Sequence, residues 1–110
     1  MMGINGNARI FLYEEPVNMR KSFEGLGAIV EQTLSQSVIS GTYFVFLNRQ
    51  RDRMKVLYWD ADGLAIWYKR LEKGQFLRKG VRERLLTRKE FFMLLEGIIP
   101  KKINHRYALS

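Results

Sequence analysis

The chain has 110 residues, 46% hydrophobic and 13% aromatic, with nineteen Lys and Arg against eleven Asp and Glu for a formal charge of +8. That is the profile of one folded soluble domain with a single modest core; no segment is apolar for as long as a membrane span requires, and no basic-then-apolar leader opens the chain. The absence of cysteine excludes disulfides, zinc–thiolate sites and thiol nucleophiles, and it fits a cytoplasmic protein in a reducing compartment.

The charge is unevenly placed. Residues 1–41 carry three basic and four acidic side chains, residues 42–90 thirteen and six, and residues 91–110 three and one. A field concentrated in this way favours polyanions, nucleic acid ahead of an anionic membrane surface, with simple solubility as the plain alternative.

In chain order, residues 1–7 read as a flexible end. Ala8–Tyr13 (ARIFLY) reads as a short strand, stopped by Glu14-Glu15-Pro16, because proline removes a donor and holds the residue before it extended. Asn18 is placed to cap a helix. Met19, Phe23, Leu26, Val30 and Leu34 recur at spacings of four, three, four and four, one helical face. Gly25 and Gly27 weaken that helix by up to about 1 kcal/mol each relative to Ala and would allow close approach to a sheet.

Three apolar runs follow: Tyr43–Leu47, Met54–Trp59 and Leu64–Tyr68. They are strand-length and rich in β-branched and aromatic residues, so they read as an antiparallel meander. Asp60-Ala61-Asp62-Gly63 is turn chemistry between the second and third. The first break, Asn48–Arg53, is a charged tip. Arg49, Arg51, Arg53 and Lys55 fall on alternate residues there. In an extended chain they would form a row of cations spaced by about 7 Å, comparable to successive phosphates on one nucleic-acid strand. The alternative is a solvated loop partly neutralised by Asp52.

After the third run, Gly74 marks a turn and Gln75-Phe76-Leu77 a short additional strand, while Arg78–Arg84 reads as irregular. Thr87 with Glu90 three residues on is a capping-box pair. It opens a helix over Arg88–Gly97 with a Phe91, Leu94, Leu95 and Ile98 stripe, a glycine cap at Gly97 and a stop at Pro100. Residues 100–110 form a basic tail.

No constellation for catalysis emerges. The single histidine, His105, sits in the tail. Asp60 and Asp62 are explained by turn formation and Asp52 lies among arginines, so no metal site or cofactor is expected. Gly25-Leu26-Gly27 lacks the third glycine and the strand junction of a dinucleotide fingerprint, and no phosphate loop is present. Tyr58, Trp59, Trp67 and Tyr68 could stack on bases, but at least half of them are expected in the core.

The string FVFLNRQRDRMKVLYWDADGLAIWYKRLEKGQF, with Asn18–Leu26 (NMRKSFEGL), the helix through Val30, and Leu94–Ile98 (LLEGI), resembles the small accessory proteins of the IS sixty-six family of bacterial insertion sequences. These are the product of the element's second reading frame, often called TnpB there and unrelated to the RNA-guided nucleases of that name. The resemblance runs from about Arg9 to about Ile99. Asn18 stands where that family usually has Asp, and both residues cap helices. Arg51 stands where many members have Gly. The resemblance implies a non-enzymatic auxiliary role in DNA transposition beside a separate transposase that carries the catalytic residues.

The resulting expectation is a single α+β domain over residues 8–99, ordered β-α-β-β-β-(β)-α, with an antiparallel sheet of three to five strands and both helices on one face. The expected DNA contacts are Arg49, Arg51, Arg53, Lys55, Lys69, Arg70 and Lys73 as phosphate partners, with Arg20 and Lys21 as a second patch. The runner-up is a protein–protein adaptor that binds the transposase without touching DNA, for which an exposed apolar patch would be the sign.

Overall fold

The computed structural model describes residues 7–77 and 84–97. Five strands and two helices follow in the order β1 (Ile10–Leu12), α1 (Phe23–Ala28), β2 (Tyr43–Leu47), β3 (Arg53–Asp60), β4 (Gly63–Arg70), β5 (Arg84–Leu86) and α2 (Arg88–Glu96). A π-helical turn, Ile29–Thr33, continues α1. The strands form one sheet in the order β4-β3-β2-β1-β5.

The meander is as expected. β2 pairs antiparallel with β3, and β3 with β4 in unbroken register from Asp60 opposite Gly63 to Arg53 opposite Arg70. The sheet as a whole is mixed, because β1 runs parallel to β2, with Ile10 opposite Tyr43. The cause is the connection: α1 lies between these strands, and a strand–helix–strand crossover returns the chain in the direction it left. β5 pairs antiparallel with β1 at the far edge. The additional strand thus exists in the expected order, but at Arg84–Leu86 instead of at Gln75–Leu77. Of the irregular segment expected at Arg78–Arg84, residues 78–83 lie outside the described residues and Arg84 instead begins β5; the basic tail with His105 also lies outside the described residues.

The helices lie on opposite faces of the sheet, not on one. Leu26 and Val30 pack with Val17, Phe44, Phe46 and Leu57. Phe91, Leu94 and Leu95 of α2 pack with Ile10, Leu12, Tyr43, Val45, Met54, Val56 and Phe76. Alternate residues of β2 therefore feed two separate cores, and all five of its side chains are buried. A strand covered on both faces reads as a continuous apolar run, as Tyr43–Leu47 does.

The helix ends follow local chemistry. Thr87 and Glu90 form the full capping box, each side chain accepting from the other's backbone N–H. Gly97 ends α2 at φ +77°. α1 starts four residues later than its apolar spacing suggests. Asn18 builds a turn instead of a cap: its Oδ1 accepts from Arg20 N at 2.8 Å and its carbonyl from Lys21 N at 3.0 Å. A side chain satisfied within such a turn competes with helix initiation. Gly25 and Gly27 do not bring α1 onto the sheet; a Cβ there would meet Lys21 and Val38.

Candidate nucleic-acid interface

The β2–β3 tip is a closed turn, so the alternating cations do not form an extended row. Asn48 is its hub. Its Oδ1 accepts from the backbone N–H groups of Asp52 and Arg53, both at 3.0 Å, and its Nδ2 donates to Asp52 Oδ1 at 2.7 Å. Arg51 N donates to Asn48 O at 3.0 Å, and Arg51 itself sits in the left-handed region at φ +59°. Most residues avoid that conformation and glycine accepts it freely, so a glycine would fit at this position without strain.

The turn divides the cations into two groups. Arg51 points inward along the chain that follows β4: its Nε donates to Leu77 O at 2.9 Å, while its own carbonyl accepts from Phe76 N at 2.7 Å. Lys55 is 8% exposed and donates from Nζ to Met19 O at 2.9 Å and Lys21 O at 2.8 Å, with the Tyr68 ring centroid 4.9 Å away. Lys69 donates to Leu95 O at 3.0 Å, in the last turn of α2, where a cation also meets the negative end of the helix dipole. These three ammonium or guanidinium groups are held by carbonyls and stabilise the fold.

Arg49, Arg53 and Arg20 form the other group. They line one open cleft of about 490 Å³ together with Pro16, Val17, Asn18, Met19, Asn48, Gln50 and Tyr68. Arg49 comes from the tip, Arg53 from the first residue of β3, and Arg20 from the Asn18 turn. Two contacts fix that turn against the sheet: Val17 N donates to Leu47 O at 2.8 Å, and Lys55 holds the carbonyls on either side of Arg20. The structure therefore brings together residues that the sequence assigned to two patches. Among the described residues no carboxylate lines the cleft, where three arginines, the side-chain amides of Asn18, Asn48 and Gln50 and the exposed Tyr68 ring meet. Arginine's fork of donors suits phosphate oxygens.

The remaining expected contacts lie outside the cleft. Lys21 is exposed beside a separate shallow hollow that includes Phe23 and Glu24. Arg70, opposite Arg53 in the register, makes an exposed pair with Glu72 at 3.4 Å, a type of contact worth little. Lys73 is exposed in the segment after β4. Asn18, Asn48 and Gln50 were not among the expected site residues, and Tyr68 was weighed only as one of four aromatics that could stack on bases. Asparagine before a turn was the available signal for the first two. Of the four central aromatics, Tyr58 and Trp67 pack on the α2-side core, while Trp59 and Tyr68 are exposed.

Among the described residues, no three His, Cys, Asp or Glu side chains gather closely enough to hold a metal ion. Asp60 and Asp62 occupy the β3–β4 turn, and Asp52 lies at the opposite end of β3. No described helix is long and apolar enough to cross a membrane. One titration stands out. Burial, with Asp60 and Tyr43 nearby, raises the Tyr58 phenol above its ordinary value; the Tyr43 and Tyr58 rings stack at 4.9 Å.

Residues 8–105 match the family model described as IS66 Orf2 like protein. The chain belongs to that family. Membership associates it with insertion sequences, as the resemblance implied. Among similar proteins is the uncharacterized protein y4jC of Sinorhizobium fredii (strain NBRC 101917 / NGR234), 33% identical over 100 residues that cover 89% of this chain and 86% of that protein. Another is the uncharacterized protein y4hO of the same strain, 30% identical over 77 residues that cover 70% of this chain and 67% of its own length. No solved structure matches.

Proposed function

We propose that this chain is a non-catalytic accessory protein of insertion-sequence transposition that binds the DNA backbone through the Arg20, Arg49 and Arg53 cleft. The observation that carries the reading is the convergence of three arginines from separate parts of the chain on one open cleft that no carboxylate lines among the described residues. The overall charge of +8 supports it by drawing polyanions toward the whole surface. Arg70, Lys73 and Lys21, exposed outside the cleft, serve as flanking contacts. Arg51, Lys55 and Lys69 act through the fold and touch no phosphate. Phosphate contact of this kind supplies affinity and orientation without choosing a sequence. The family setting supports action beside the transposase of the element, in the cytoplasm.

The test is binding of purified protein to an element-end duplex and an unrelated duplex of equal length. Comparable, strongly salt-dependent affinity for both is expected. Absence of binding even at low salt contradicts the reading; capture of the transposase by protein that binds no DNA would replace it with the adaptor.

A further inference from the structure

β4 is an edge strand of eight residues, Gly63–Arg70, with no partner on its outer side among the described residues. The opposite edge, β5, has three residues. Native edges are usually blunted by shortness, bulges, proline or charge, because an unpaired row of N–H and C=O groups is a template for another strand. β4 lacks these devices along its middle. Its register with β3 is unbroken, and Leu64–Tyr68 contains neither proline nor charge. Leu64, Ala65, Ile66 and Trp67 are only half-buried.

The two ends of this strand carry opposite charges. Asp60 and Asp62 lie at its start, and Lys69 and Arg70 at its end. Two copies of β4 running antiparallel bring the acidic start of each beside the basic end of the other. We infer that the β4 edge pairs with β4 of a second copy of this chain, forming a two-fold dimer with one continuous ten-stranded sheet. The inference does not need DNA binding, but it takes Arg70 from the flanking phosphate contacts and gives it to Asp62 of the second copy.

Side-chain alternation restricts the register. Leu64 and Ile66 pack on the α1 side and Trp67 on the α2 side, and residues directly opposite in an antiparallel pair share a face. The two-fold axis must therefore pass between equivalent residues. Centred on Ile66, the pairing sets Leu64 opposite Tyr68, Ala65 opposite Trp67 and Gly63 opposite Lys69, which brings Asp62 of the β3–β4 turn beside Arg70 of the second copy. Centred on Trp67, it sets two indoles against each other and slides Arg70 past the acids to Leu64. Small against large and acid against base select the Ile66 register. Because the axis is perpendicular to the sheet, both arginine clefts then open on the same side of the dimer.

The experiment is light scattering coupled to size exclusion at roughly 100 µM protein, where micromolar association is fully populated, on wild type, Asp62→Lys, Arg70→Glu and an equimolar mixture of the two variants. Circular dichroism checks that each is folded. Wild type is expected at twice the monomer mass. Each reversal alone places like charges opposite each other and weakens association by about tenfold or more. Mixing restores the dimer, because Lys at 62 then meets Glu at 70 while the native pair re-forms at the other end. Monomeric wild type overturns the inference. So do single variants as dimeric as wild type, and so does a mixture of folded variants that stays monomeric.

Discussion

Replacing Lys55 with Met retains most of the aliphatic stem and removes the ammonium. The lost interactions are two charge-assisted hydrogen bonds, to Met19 O at 2.9 Å and Lys21 O at 2.8 Å, and the contact 4.9 Å from the Tyr68 ring centroid. Hydrogen bonds to charged groups contribute about 1.5–3 kcal/mol each and a cation over an aromatic ring about 0.5–1 kcal/mol. The lower figures apply here, since both carbonyls belong to a surface segment that water can reach once the ammonium is gone. Relief of the lysine's own desolvation subtracts further, so the net loss is about 2–3 kcal/mol. For a domain of this size that lowers Tm by roughly 10–20 °C. The assay is thermal unfolding followed by circular dichroism, with Lys73→Met as an exposed control. Hydrogen exchange over residues 18–22 should also quicken, because Lys55 holds that turn to β3. A Lys55→Met variant as stable as Lys73→Met, with unchanged exchange, would refute the assignment of Lys55 as a clamp.

Three further outcomes are expected. Arg51→Gly relieves a left-handed conformation while losing the bond to Leu77 O. The two effects oppose at about 1 kcal/mol each, so urea unfolding should find it near wild type, and Arg51→Val, which keeps the strain and loses the bond, clearly less stable. Thr87→Ala removes the side-chain acceptor of the α2 capping box and should cost about 1 kcal/mol in the same assay. The Tyr58 phenol is raised from its ordinary value of 10.0, so the folded state holds this proton more tightly than the unfolded chain does. Stability should therefore be fully present below the unfolded value and fall as pH rises beyond it toward the folded one. Tyr58→Phe should flatten that alkaline fall in Tm.

Strand positions were legible because Tyr43–Leu47, Met54–Trp59 and Leu64–Tyr68 each carry their own β signal, and the Thr87–Glu90 pair marked the start of α2 to the residue. The helix placement had a signal that a meander reading passes over. Five buried residues in succession in β2 demand cover on both faces, whereas alternation would have indicated one open face. The direction of β1 was contained in the intervening helix. Lys55 and Lys69 could not be assigned from sequence, since a strand lysine looks solvated until a carbonyl distant in the chain is placed beside it. Arg20 joined Arg49 and Arg53 for the same reason: 29 residues separate Arg20 from Arg49, and the Val17 and Lys55 hydrogen bonds bring them together. The short side of the inference was the hairpin tip, where alternate positions face one way only in an extended chain, and Asn48 folds that chain into a turn.

The central claim, that the arginine cleft holds phosphates, is tested most directly by the salt dependence of duplex binding for wild type and an Arg20→Ala, Arg49→Ala, Arg53→Ala variant. Each phosphate neutralised adds about 0.9 to the slope of log K against log salt concentration. Loss of the cleft should lower that slope by about 2–3 and weaken binding alike on element-end and unrelated DNA. A variant with the wild-type slope and affinity would contradict the account.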